Sequence, residues 1–403
     1  MADEPDGAGV CSPAMLPDSE CLARLDALRA TLRAQRLDGA ALVHATDVFY
    51  LSGTRQNAAL WVPAEGEAIL LVRKSLARAR EESPLRDVRP FPSSKELAAA
   101  LGAPKRVGFT FDVVPGAVER FWARALGAEL VDVSTPLRTQ RSVKSPWELA
   151  RMRDTAALLA GVYREIPSFL RAGMRELDLA AELEYRMRRA GNEGSPRLRG
   201  FNQEFFMGLA VAAGAATAPS YFDGPVTGRG LSASSPIGAS VEAIPRDVPI
   251  LLDYTAMKDG YVTDLSRIAV CGRLAPELAR ALDVALAIQD EVARRLRPGE
   301  IPSAIWARAC ELADAAGLGD RFMGPPGAQA RFVGHGVGLE LDELPVLAPG
   351  FDAPLAAGQV LAVEPKFVFP ELGAVGIENT FAVTDGGGAR LAELDDRPIM
   401  VEG

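Results

Sequence analysis

Histidine is nearly missing from this chain: there are two in 403 residues, His44 and His335. Chemistry that needs an imidazole can draw only on these, so a site built from a cluster of histidines is excluded. Cysteine is also scarce. Cys11, Cys21, Cys271 and Cys310 show no paired spacing, which excludes a disulfide framework and a zinc knuckle and leaves them as reduced thiols. Lys and Arg form no block and the net charge is −9, which argues against nucleic-acid or membrane-surface binding. No run approaches the roughly 18 strongly apolar residues of a membrane-spanning helix. The nearest candidate, residues 207–219, is short and made of small side chains. The first 20 residues are acidic and rich in Pro and Gly, with neither a basic nor an apolar region of a secretory signal. A cytoplasmic protein is expected.

Apolar residues, by contrast, make up 48% of the chain, enough for a large core and too many for a wholly disordered one. The length allows roughly two to three domains at about 150 residues each. After a tail over residues 1–20, residues 22–37 have the periodicity of an amphipathic helix. Short β-type runs at 40–43, 49–51, 59–62, 68–72 and 106–109 alternate with helical stretches at 75–82 and 94–101, which predicts a small α/β domain. A boundary is expected near 140–145. There Ser145-Pro146-Trp147-Glu148 combines a Ser N-cap, Pro at the first helical position and the Glu of a capping box. Leu149, Met152, Ala156 and Leu159 mark one face of the helix that follows, and a second helix is predicted over 176–189. Beyond it, strands with Gly-rich turns are interrupted by helices over 277–297 and 302–316, an α+β pattern. No internal repeat is found.

Two segments of this second region carry chemistry. In the first, β-type runs containing Asp253 and Asp264 flank Lys258-Asp259-Gly260, a hairpin turn signal. With Lys258-Asp259 as the loop, Asp253 lies opposite Asp264, about 4.5–5.5 Å apart at Cβ. With Asp259-Gly260 as the loop the pairing is diagonal, and the carboxylates still converge. The second segment places Glu364 and Glu378 on the two arms of another apolar hairpin, with a turn at residues 370–373. Between the hairpins falls Gly334-His335-Gly336-Val337-Gly338, an imidazole flanked by glycines that permit close backbone approach.

A single Asp in a strand is ordinarily edge-exposed or hydrogen-bonded. Four carboxylates inside apolar β-runs are another matter, because each buried unpaired charge costs several kcal/mol. A cation neutralises them, and an oxygen-rich site with one nitrogen suits Mn, Co, Fe or Zn. Four carboxylates and one imidazole are enough ligands for two such ions sharing bridging oxygens.

The order Asp253, Asp264, His335, Glu364, Glu378, the eleven-residue separation of the two Asp and the Gly-His-Gly-Val-Gly context resemble the pita-bread metallopeptidases: methionine aminopeptidase, aminopeptidase P, prolidase and creatinase. Val143-Lys144-Ser145 and Asp47-Val48-Phe49-Tyr50-Leu51-Ser52-Gly53 are similar to the Xaa-Pro peptidase branch. The resemblance spans about residues 20–400. It implies an α+β pita-bread catalytic domain over residues 143–403, preceded by a smaller α/β creatinase-type domain over 21–142. It also implies two divalent metal ions per chain, with Asp264 and Glu378 bridging and Asp253 and His335 each holding mainly one. Glu364 would both ligate and act as general base in the attack of a metal-bridging water on an amide carbonyl. A homodimer is a further implication, as is a small peptide or small-molecule substrate. No Gly-x-Ser-x-Gly nucleophile element is present, in keeping with such a mechanism.

The departures concern accessory histidines. Where the family carries them, this chain has Pro236, Arg331 and Asp342, and Gly376 stands where an Arg often precedes the last Glu. Arg331 and Asp342 are therefore read either as a reworked substrate shell, with the guanidinium holding a substrate carboxylate, or as an ordinary ion pair. Phe205, in Phe201-Asn202-Gln203-Glu204-Phe205-Phe206, and Tyr221 are candidates for the pocket wall or for the core. His44 is read as structural. Three functions follow: an Xaa-Pro aminopeptidase or dipeptidase, a metal-dependent C–N hydrolase or lyase acting on a small carboxylate metabolite, or a degenerate binding module that has lost its chemistry.

Overall fold

The structure, a computed structural model, describes residues 15–402. Cys11 and most of the tail expected over 1–20 lie outside the described residues. The chain divides into two compact units, Met1–Gln140 and Arg141–Gly403.

The first unit is a six-stranded mixed sheet with helices. Its strands are β1 (Gly39–Leu42), β2 (Ala58–Pro63), β3 (Ile69–Val72), β4 (Asp87–Pro90), β5 (Arg106–Phe109) and β6 (Glu129–Asp132), in the order β4-β3-β2-β1-β5-β6. The first helix, Asp18–Ala34, starts earlier than its apolar pattern suggests, because Pro17 sets an extended N-cap and Asp18 and Glu20 favour the first turn. Residues 49–51, expected as a strand, lie instead in the helix Ala45–Ser52. Extended His44 opens that helix and Gly53, at φ 75°, closes it, so the flanking residues outweigh a three-residue β-type run. His44 thus caps a helix, with Nδ1 3.3 Å from Asp47 Oδ2.

The second unit holds β7 (Gly208–Ala212), β8 (Ile250–Lys258), β9 (Tyr261–Cys271), β10 (Gly334–Gly336), β11 (Glu343–Val346), β12 (Val360–Val363), β13 (Lys366–Phe369), β14 (Gly373–Gly376), β15 (Asn379–Thr384), β16 (Gly387–Arg390) and β17 (Ile399–Val401). These form sheets ordered β17-β9-β8-β7, β11-β10-β12-β15-β16 and β13-β14. Because side chains alternate along a strand, β8 and β9 feed two cores. Leu251, Ile268 and Val270 pack with Leu282, Ala285 and Ile288 of the helix Pro276–Arg295. Ile250, Leu252, Tyr254 and Ala269 pack with Leu159 and Tyr163 of the helix Pro146–Glu165 and with Leu183 of the helix Glu176–Arg189. Both faces being covered explains why these strands are almost wholly buried. The capping box at Ser145 and Glu148 forms as its sequence requires. Among the described residues no helix is long and apolar enough to cross a membrane.

Candidate metal centre

The β8–β9 hairpin turns on Asp259-Gly260, both with positive φ (50° and 81°), as a tight two-residue hairpin turn demands. Asp253 therefore pairs with Ser266 and Thr255 with Asp264. Of the two registers the sequence allowed, the diagonal one holds, and the directly opposed arrangement of Asp253 and Asp264 does not. Gly260 in the turn tolerates the left-handed backbone that Lys258 would have had to adopt.

The second hairpin is broken into two. The β12–β15 ladder ends at Val363↔Asn379 and the β13–β14 ladder begins at Lys366↔Gly376, in a separate sheet. The register is the same on both sides of the break, so Glu364 stands opposite Glu378 where the ladder is interrupted. Pro365 contributes to the break because it has no N–H to offer. A backbone bridge between Ser266 and Glu378 then joins the two hairpins, with Ser266 N and Glu378 N each donating to the other residue's carbonyl at 3.3 Å. Ser266 Oγ donates to Glu378 Oε2 at 2.7 Å. Thr380 Oγ1 accepts from Asp264 N and donates to Asp264 O, fixing the second Asp.

His335 comes from β10, between β11 and β12. A Cβ on Gly334 would lie 2.4 Å from the Ala362 carbonyl oxygen, so only glycine lets this strand approach its neighbour. The imidazole's Nδ1 lies 3.1 Å from Leu341 O and 3.2 Å from Gly336 O, leaving Nε2 to face Glu364 Oε1 (3.6 Å) and Asp264 Oδ2 (4.0 Å).

Candidate ligand atoms of the five residues gather into two triads that share one carboxylate: Asp264–His335–Glu378 and Asp253–Glu364–Glu378. Asp264 Oδ1 and Glu378 Oε1 are buried without a hydrogen-bond partner. Burial, with Glu378 and Asp253 nearby, holds Asp264 well above the usual carboxylate range. Burial likewise pushes Glu378 up to about 8, against the pull of Lys366 and helped by Glu364 and Asp253. Burial opposes the charged form of His335, but Asp342, Glu364 and Glu378 outweigh it and raise its pKa. Orphaned carboxylate oxygens beside a free imidazole nitrogen form a donor set short of positive charge, which fits a divalent ion.

One positive group is present that the ligand pattern does not include. Lys366 Nζ donates to Asp253 Oδ2 (2.8 Å), Glu364 Oε2 (2.5 Å) and Glu378 Oε2 (3.1 Å). Burial opposes its charge, yet these three carboxylates hold its pKa well above the ordinary lysine value. Its signal in the sequence was the two-residue spacing from Glu364, which puts both side chains on one face. A second buried group lies behind the His335 segment: Glu343 is bonded by Arg141 Nη2 (2.6 Å) and Lys144 Nζ (3.0 Å), and Arg141 also reaches Glu340 (2.8 Å). Scattered over some 200 residues of sequence, this cluster had no local signal.

The carboxylates floor a cavity of about 250 Å³. Phe205 and Asp342 line it, together with Phe222 and Phe332, which sequence reasoning did not single out. Phe205 and Phe222 pack at 5.1 Å between ring centroids. Asp342 lies 3.7 Å from His335 Nδ1. Arg331 and Tyr221 are not brought to this cavity: both are exposed and neither lines it. Asp342 follows β10 and lines the cavity with its side chain 40% exposed, whereas Arg331 precedes the strand and is exposed away from the cavity. Phe201 and Phe206, exposed at 91% and 48%, belong to neither core nor cavity.

Residues 150–385 match metallopeptidase family M24, and residues 24–143 match the creatinase/prolidase N-terminal domain. The chain belongs to metallopeptidase family M24. M24 relatives include the uncharacterized peptidase YqhT of Bacillus subtilis, 26% identical over 94% of this chain and 100% of that protein. The Xaa-Pro dipeptidase of Pyrococcus furiosus is 24% identical over 92% of this chain and 98% of that protein. The solved Xaa-Pro dipeptidase from Bacillus anthracis superposes with a TM-score of 0.82 at 21% identity, covering 94% and 100% of the two chains. The fold is thus the α+β pita-bread domain of M24 preceded by a creatinase-type domain.

Proposed function

We propose that this M24 protein is a metal-dependent hydrolase of short peptides, of the Xaa-Pro dipeptidase or aminopeptidase type. The observation that carries the reading is the set of two ligand triads, sharing Glu378, on the floor of a cavity with an aromatic wall. The naming of M24 relatives as Xaa-Pro dipeptidases supports it. Asp264, His335 and Glu378 would hold an ion, with Asp253 and Glu364 completing the ligand set. When bound, a divalent ion (Mn, Co, Fe or Zn) supplies positive charge that polarises the scissile carbonyl and acidifies the attacking water. Glu364 Oε1, the oxygen not bonded by Lys366, is the atom that accepts the water's proton. Phe205, Phe222 and Phe332 give an apolar wall suited to a proline ring and limit water around the reacting bond. A cytoplasmic homodimer belongs to the same reading; light scattering at the mass of two chains checks the assembly.

One observation favours a second reading. His335 is the only imidazole at the cavity, so no further histidine is available to hold the scissile carbonyl. A metal-dependent C–N hydrolase or lyase acting on a small carboxylate compound needs fewer such contacts. A panel of Xaa-Pro dipeptides, longer Xaa-Pro peptides, and small amidines and betaines, assayed with Mn(II), separates the two. Turnover of dipeptides is expected. Turnover of the amidines alone would overturn the peptidase reading. Replacement of Glu364 by Gln is expected to lower kcat by about 10²–10⁴-fold on the true substrate.

A further inference from the structure

We infer that Lys366 is the resident cation of the second triad, and that this chain holds one divalent ion rather than two. The inference rests on the reading of the site as a metal centre and concerns how many ions that centre takes.

The three carboxylates that Lys366 Nζ bonds are Asp253, Glu364 and Glu378, and these are the three members of the second triad. An ammonium has three hydrogens, and each has a carboxylate oxygen within hydrogen-bond distance. The side chain is 1% exposed and lies within the protein, so its charge is not shared with water. An ion coordinated by the same three carboxylates would have to displace a buried ammonium that no solvent receives.

The fold makes room for this lysine. Lys366 pairs across the β13–β14 ladder with Gly376. A Cβ at 376 would lie 2.5 Å from Lys366 Cγ, so the stem runs over a surface that only glycine leaves clear. The first triad differs in kind. Its orphaned atoms, Asp264 Oδ1 and Glu378 Oε1, are not those that Lys366 bonds, and His335 contributes Nε2 on the same side. Glu378 Oε2 accepts from Lys366 and from Ser266 Oγ, whereas its Oε1 has no hydrogen-bond partner.

Charge counting points the same way. Ionised, as metal ligands must be, the four carboxylates carry −4. Lys366 and one divalent ion bring this to −1, whereas Lys366 with two ions exceeds it at +1, with an ammonium pressed against a metal. On this inference the centre takes one ion, at Asp264–His335–Glu378, where the family resemblance implies two.

The test is metal content and spectroscopy of the full chain loaded with Mn(II). Elemental analysis of the wild-type protein is expected to give one Mn per chain, and its electron paramagnetic resonance spectrum an isolated-ion six-line pattern. Two Mn per chain with an exchange-coupled spectrum would overturn the role of Lys366 and leave the metal-centre reading standing. No bound Mn would overturn both. Lys366→Met is expected to raise the content from one to two and produce the coupled spectrum, while Lys366→Arg, which keeps the charge, stays at one. A folded Lys366→Met that still takes one ion would also overturn the assignment. The wild-type spectrum decides the count even if that variant does not fold.

Discussion

At the scale of single residues, the second unit depends on buried charges that neutralise one another at close range. Glu343 is the best example outside the cavity. Lys144 and Arg141 hold its pKa down to about 2 although burial alone would raise it, and its Oε1 also accepts from Leu339 N and Glu340 N in the segment that follows His335. Removing one partner of such a group strands the others. Glu343→Gln is therefore expected to cost about 3–5 kcal/mol, read as a lower melting temperature at neutral pH. The pH dependence has a defined sign. The folded pKa lies below the ordinary 4.5, so the stabilisation is complete above about 4.5 and is lost as pH falls towards about 2. The gap between wild type and Glu343→Gln should narrow as the pH is lowered through that window. A gap that widened would show that the carboxylate is not what Arg141 and Lys144 stabilise. Lys366 makes the same point beneath the cavity carboxylates, where one buried ammonium serves three acids.

At the scale of elements, local signals were legible wherever the deciding contacts are close in sequence. The helix Pro146–Glu165 was readable from four residues, since Ser145 Oγ accepts from Glu148 N (3.2 Å) and Glu148 Oε2 accepts from Ser145 N (2.9 Å). Tyr261 OH donates to Glu148 Oε1, tying that helix start to β9. Ser145→Ala should cost about 1 kcal/mol, seen as a small drop in melting temperature with Mn content unchanged. The β8–β9 hairpin was half legible: its existence followed from alternation and a turn signal, but its register waited on which two residues took positive φ. The break between β12 and β13 was not legible, because nothing local says that two ladders in one register belong to different sheets. Gly376→Ala tests that break and the lysine together. The added methyl meets Lys366 Cγ, and an over-packed core position costs about 1–3 kcal/mol. Denaturant titration reads the cost, and an unchanged midpoint would mean that the two strands have room to spare.

At the scale of the whole molecule, an ion that binds the folded chain and not the unfolded one raises stability by mass action, by about 2.7 kcal/mol at a hundred times its Kd. Melting followed across a Mn(II) series should show the temperature climbing with ion concentration, and His335→Ala should flatten that climb. A wild-type melting temperature indifferent to the metal would sink the centre altogether.

The sequence by itself determined the five candidate ligand residues and their order on neighbouring β-type runs, because a carboxylate in an apolar strand is conspicuous against its neighbours and its spacing survives without a structure. Only the tertiary structure decided how those side chains group into two triads. It brought Lys366 and Gly376 face to face, set Asp342 and three phenylalanines around the cavity, left Arg331 and Tyr221 in solvent, and placed Arg141 and Lys144 against Glu343. The physical reason is the same in each case. Local pattern records which face of an element a residue occupies, whereas the partner of a buried charge is chosen by contacts between segments up to about 200 residues apart, and no local pattern encodes them.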